Sequence, residues 1–208
     1  MIKPYVVYCA DIGSVDKGNF GWARLFCEDE KVYTNGNDLH ELVKAIAEDL
    51  NKDLPVALGF ECPLFVPITE DPSGLTRSRP GEGNRPWSAG AGASALATGL
   101  TEVVWTLERL RSSVDVEIPV FFRWVPFKQA RRGLFLWEAF VTAEAKGNTH
   151  QDDAEIAVRR FDQCMPNPEA ANAIKCNNVY SLVGAALIRA GWSSDSKLTC
   201  TQCLVIRA

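Results

Sequence analysis

No apolar run in this chain reaches the ~20 residues that a membrane-spanning helix needs, so no membrane association is expected. An excess of positive charge is also missing: 22 Lys and Arg stand against 26 Asp and Glu, a formal net charge of -4. No global field draws in a polyanion, and phosphate or nucleic-acid binding has to come from a local patch or a bridging cation. Histidine is scarce, with His40 and His150 the whole supply. "CTQC" at 200–203 has the gap of a zinc or redox site, but no second close cysteine pair completes a structural zinc. Cys200 and Cys203 read as ordinary cysteines of a terminal strand. The seven cysteines are odd in number and scattered, which suits reduced thiols in a cytoplasmic protein better than a disulfide framework. The start, "MIKPYVVYCADIG", resembles a first strand and not a signal peptide. G-x-x-x-x-G-K-[ST], H-E-x-x-H and G-x-S-x-G are absent. "GSVDKGNFG" lacks dinucleotide spacing, and neither repeats nor heptads are visible.

What is present suits one domain over residues 1–208. Hydrophobic residues make up 47% and charged residues 23%, enough for a sizeable core. "PYVVYCADI" (4–12) is apolar and β-branched, "FGWARLFC" (20–27) alternates, and "KVYTN" follows at once, so an antiparallel meander is expected. Residues 37–53 form an amphipathic helix pattern through Leu39, Leu42, Val43, Ile46, Ala47 and Leu50, with Asn37 or Asp38 able to cap it. "PVALGFE" then reads as a central parallel strand, apolar on both faces. Residues 67–93 are rich in Pro, Gly, Ser and Arg and read as a long loop insertion, which in a compact domain is either functional or disordered. Residues 94–114 read as a helix, "EIPVFFRWVPF" as strand or extended, 133–141 as a strand, and 150–165 and 177–192 as helices. "CLVIRA" closes the chain as strand or tail. The order implies an α/β mixed sheet with helices on both faces.

Three acids fall where ligands bind in such sheets, beyond the carboxyl ends of the strands. Asp11 ends the first strand and Glu61 ends "PVALGFE", where Pro63 forces a turn. If those strands are parallel neighbours, they lie about 4.8 Å apart and their carboxylates converge. Two close carboxylates repel, and Mg²⁺ or Mn²⁺ relieves the repulsion through oxygen ligands. Glu138, inside "FLWEAF", is the third candidate, since an acid in an apolar strand is costly unless paired or metal-bound. Each acid also has an ordinary use. Asp11 can bond the turn amides of Gly13 and Ser14, Glu61 can pair with Arg77 or Arg85, and Glu138 can pair with an arginine or face solvent.

These segments resemble the ribonuclease H-like superfamily, and within it a family of uncharacterised proteins labelled predicted nucleases of that fold. The features that carry the likeness are "ADIGS", "FECPL", the arginines of 77–85, "LWEAF", a late helix and "CLVIRA". The resemblance implies a five-stranded mixed sheet, antiparallel meander then parallel strands, and metal-dependent phosphodiester hydrolysis on a small or single-stranded nucleic acid. It implies Asp11, Glu61, Glu138 and Asp153 as catalytic acids. Asp11, Glu61, Asp153 and Asn178 would be the ligands of Mg²⁺ or Mn²⁺. Arg77, Arg79, Arg85 and Trp87 would meet substrate, the arginines at phosphates and the ring against a base. The pattern more often has Asp where Glu61 stands. Two helices compete for the last ligand: "HQDDAEIAV" offers His150, Asp152 and Asp153, and "NNVYSLVGAAL" offers Asn178 and Ser181. Two rivals remain: a degenerate scaffold of the same fold that binds a partner, and a nucleotide- or phosphate-binding module of the actin and sugar-kinase type.

Overall fold

The computed structural model describes residues 4–28, 30–142 and 144–208. Strands β1 (Tyr5–Asp11), β2 (Gly21–Cys27) and β3 (Lys31–Gly36) form the expected meander. Helix α1 (Leu39–Asn51) follows, its first turn capped by Asp38, whose side chain accepts from the His40 and Glu41 amides. The chain then returns as β4 (Val56–Phe60), which lies parallel to β1. After a short β5 (Phe65–Pro67) come α2 (Gly90–Ser113), β6 (Val120–Phe121), α3 (Trp124–Gln129) and β7 (Leu134–Phe140). Helix α4 (His150–Gln163), β8 (Val179–Ser181), α5 (Leu182–Arg189) and β9 (Leu204–Arg207) complete the chain.

The main sheet runs β3-β2-β1-β4-β7-β6, with β9 also paired to β7. It has seven strands, not the five expected. The two additions are short and share one edge: β6 pairs with Leu134 and Phe135 of β7, and β9 pairs with Trp137 to Phe140. All strands but β2 point the same way, so the carboxyl ends of β1, β4 and β7 share a rim. Side chains alternate across the sheet. Val6, Tyr8 and Ala10 of β1 pack under α1, α2 and α5, whereas Val7 and Cys9 pack under α3 and α4. Helices therefore cover both faces.

Three local readings change. Residues 124–129 of "EIPVFFRWVPF" are helical, because Pro126 is the third helical residue, where its missing N–H costs no helical bond. The late segment is not one helix over 177–192: Val179–Ser181 pairs antiparallel with β5, and only Leu182–Arg189 is helical. Finally, α2 starts at Gly90, inside the stretch read as loop.

Candidate cation site

β1 and β4 are paired through Ala10 and Phe60, and the Glu61 amide donates to the Ala10 carbonyl at 2.8 Å. The register thus carries Asp11 and Glu61 side by side past the strand ends. By alternation both side chains leave on the α4 face, opposite to Ala10 and Phe60. Helix α4 meets them there. Its N-terminus is fixed by a capping box, Thr149 accepting from the Asp152 amide and Asp152 from the Thr149 amide. Gly21, the β2 partner of Asp11, lets that helix end come close: a Cβ at Gly21 would stand 2.4 Å from the Gln151 nitrogen.

Asp11, Glu61 and Asp153 each offer a carboxylate oxygen within 4.8 Å of the others. Asp11 and Asp153 are 3% and 5% exposed. Lys146 reaches in from the segment before α4, its Nζ 3.1 Å from Asp153 Oδ2 and 3.7 Å from Glu61 Oε1. The Gly147 amide donates to Asp153 Oδ1 at 2.7 Å. His150 Nδ1 makes a short contact with Asp11 Oδ2. Glu61 Oε2 is buried with no partner among the described residues. Burial pushes the Glu61 carboxyl up to about 10, helped by its hydrogen bond with Asp11 and the repulsion of that charge. At neutral pH Glu61 therefore keeps its proton. A group with an orphaned buried oxygen and a proton held against repulsion has a donor set that suits a hard divalent cation.

Glu138 does not join this group. It pairs with Phe60 in register and so faces the opposite side of the sheet from Asp11. There it accepts from Arg79 at 2.9 and 2.6 Å and from the Leu64 amide at 2.9 Å. Arg79 is 2% exposed and also holds Glu82 at 2.7 Å and the Phe65 carbonyl at 3.1 Å. It is therefore not free to meet a substrate: Glu138 and Arg79 anchor the 68–89 loop. Of the other loop residues, Arg77 is exposed, Arg85 is half-buried, and neither makes a side-chain hydrogen bond or ion pair among the described residues. Trp87 is half-buried, its Nε1 donating to the Arg77 carbonyl at 3.0 Å. Asn178 is exposed at the start of β8, its carbonyl accepting from the Ile68 amide, on the α5 side of the chain. Asp153, from the other late helix, is the acid brought to the rim. Cys200 is an exposed free thiol and Cys203 a buried one.

Lys146 and Glu102 gave no signal in the sequence. A lysine in a Gly- and Asn-bearing segment reads as solvated, and a glutamate inside α2 reads as part of an exposed helix face. Glu102 is in fact 8% exposed, with Oε2 lacking a partner among the described residues. Burial raises its carboxyl to about 7, the Gly13 amide pulling it down and Asp11 pushing it up.

Fold and site together define an α/β protein with a mixed open sheet and a buried acidic group at its carboxyl rim. No family model, no curated protein and no solved structure matches the chain. None of the described helices is long and apolar enough to cross a membrane.

Proposed function

We propose that the protein is a ribonuclease H-like, metal-dependent phosphodiesterase acting on a small or single-stranded nucleic acid. The observation that carries this reading is the convergence of Asp11, Glu61 and Asp153 within 4.8 Å at the ends of two adjacent parallel strands. The run β3-β2-β1-β4-β7 supports it, since it keeps the meander-then-parallel order of that fold. In this reading Asp11, Glu61 and Asp153 hold Mg²⁺ or Mn²⁺. When bound, such an ion supplies Lewis acidity toward a phosphoryl oxygen and acidifies water.

The chain's own residues prepare the site in three ways. Glu61 would have to release its retained proton to solvent before it could serve as a ligand. Lys146 would have to move off Asp153 and Glu61, and its 41% exposed side chain has solvent to swing into. His150 holds Asp11 in orientation through Nδ1. Arg77 and Arg85 are the loop cations free to pair with phosphate, and the Trp87 ring offers a stacking face.

One observation favours a second reading, a metal-free binding scaffold: Lys146 already supplies positive charge to two of the three acids. A calorimetric titration of Mn²⁺ into wild type, Asp11→Asn and Glu61→Gln separates the two. Heat in the wild type that both variants lose supports the metal reading. Equal heats in all three proteins, or none, would end it.

A further inference from the structure

β3 ends the sheet on its β2 side, and among the described residues no strand pairs beyond it. The opposite end is closed. β6 is two residues long and follows Pro119, and the outer flank of β9 is bridged by Asn172 at Ile206. An open edge shows unpaired N–H and C=O groups to solvent, and proteins usually block it with prolines, bulges or charges. β3 has neither proline nor bulge: every residue from Lys31 to Gly36 pairs with β2 in unbroken register. Its one charge, Lys31, stands at its first residue and is held by Asp162 of α4 at 2.5 Å. Lys31, Val32, Thr34 and Asn35 are exposed. On the α4 face, each β3 side chain lies under a charged residue of that helix. Lys31 meets Asp162, the Arg159 guanidinium stands 3.9 Å from the centre of the Tyr33 ring, and Asn35 Nδ2 donates to Glu155 Oε2 at 3.4 Å.

That charge row discriminates between partners. Residues paired in an antiparallel ladder share a face, so a strand pairs with its own copy only about a two-fold axis through one residue. With Tyr33 on the axis, Arg159 meets Arg159 of the second copy. With Asn35 on the axis, Glu155 meets Glu155. With Thr34 on the axis, Tyr33 lies opposite Asn35 of the second copy, on strands about 4.8 Å apart. Arg159 of each copy then meets Glu155 of the other. The same register sets Thr34 against Thr34 and Val32 against Gly36, and opposes no like charges on the strand. We propose that a second copy of this chain pairs with β3, antiparallel and with Thr34 on the two-fold axis, so that one sheet runs through both copies. β1 and β3 both run opposite to β2, so the two acidic rims stand at opposite ends of the joined sheet. One short strand and one helix flank make an interface smaller than that of a tight dimer, so the pairing is reversible and concentration-dependent. It does not depend on the metal reading above.

Sedimentation velocity at low salt, over about 5 to 500 µM protein, tests this. The wild type should shift from one chain toward two as its concentration rises. Thr34→Lys sets like charges opposite each other on the axis and should weaken the dimer about tenfold or more. Glu155→Arg and Arg159→Glu should each weaken it about threefold or more. The two together should restore it to within about twofold, because the double exchange rebuilds both cross-copy pairs as well as the Glu155–Arg159 pair within each helix. All four positions changed or opposed lie on the surface, and thermal melts of the dilute variants check that each still folds. A wild type that stays a single chain throughout overturns the proposal and leaves the edge to an extended segment of another protein. A dimer that Thr34→Lys leaves untouched also overturns it, since the contact then lies elsewhere. So does a dimer that the double exchange fails to restore, since that rejects the register.

Discussion

A carboxyl group that keeps its proton until about pH 10 ties folding to pH. Glu61 ionises near 4.5 in the unfolded chain and near 10 in the fold. Between those values the folded chain holds more protons than the unfolded one, so this group makes stability fall as pH rises. Below pH 4.5 the penalty is absent, and above 10 it is complete. Glu61→Gln mimics the protonated acid at every pH. In metal-free buffer it should be more stable than wild type by roughly 1–3 kcal/mol at pH 8, the gap closing below pH 4.5. Denaturant melts across that range check this; a gap that widens toward low pH would contradict the buried acid pair. Glu102 follows the same sign over the narrower window from 4.5 to about 7. Lys146 obeys a related rule. An ammonium and a divalent ion compete for the same oxygens, so Lys146→Gln should bind Mn²⁺ about fivefold or more tighter than wild type, measured by calorimetry at low salt.

Two contacts between elements decide whether the rim is assembled. The first is the buried set Arg79, Glu82 and Glu138, which pins the 68–89 loop to β7. Arg79→Met leaves two carboxylates buried without their cation and should cost about 3–5 kcal/mol, read from denaturant midpoints, whereas Arg77→Ala on the exposed side should stay within about 0.5 kcal/mol. The second is the approach of β2 to α4 at Gly21. Gly21→Ala drives a Cβ into the His150–Gln151 backbone, displacing both His150 and Asp153, and should weaken Mn²⁺ binding about tenfold while the chain still folds. The same contacts explain which parts of the architecture could be read beforehand. β1, β4 and α1 were legible because their apolar spacing is dictated by burial on one or both faces. Asp11 and Glu61 were legible because each ends such a run. Glu138 was not, because an acid within an apolar strand satisfies a metal and an arginine equally well on paper. Only the register with Phe60 turns it away from Asp11. The late segment misled because Val179–Ser181 is too short for its period to show, and its pairing with β5 lies more than a hundred residues away in sequence. Glu102 stayed hidden because its burial depends on Gly99 closing against Cys62, a packing fact with no local pattern.

At the scale of the whole molecule the net charge of -4 sets how a polyanion is met. Such a surface repels phosphates overall, and the acidic rim repels them further until cations neutralise it. Two consequences follow for a short single-stranded oligonucleotide under the proposed function. Binding should require Mn²⁺ or Mg²⁺, because the bridging cation supplies the attraction that the protein surface lacks. The remaining attraction comes from few groups, chiefly Arg77 and Arg85, so salt dependence should be shallow. Two phosphate contacts on a single strand give a slope of log affinity against log salt of about -1.4, far from the steep dependence of a broad basic face. Fluorescence anisotropy between about 50 and 200 mM salt measures it. Arg77→Ala with Arg85→Ala should bring the slope toward zero and weaken binding, while Arg79 cannot substitute because its guanidinium is spent on Glu138 and Glu82. A steep slope that survives the double substitution would place the nucleic acid on some other face of the molecule and leave the acidic rim without the substrate proposed for it.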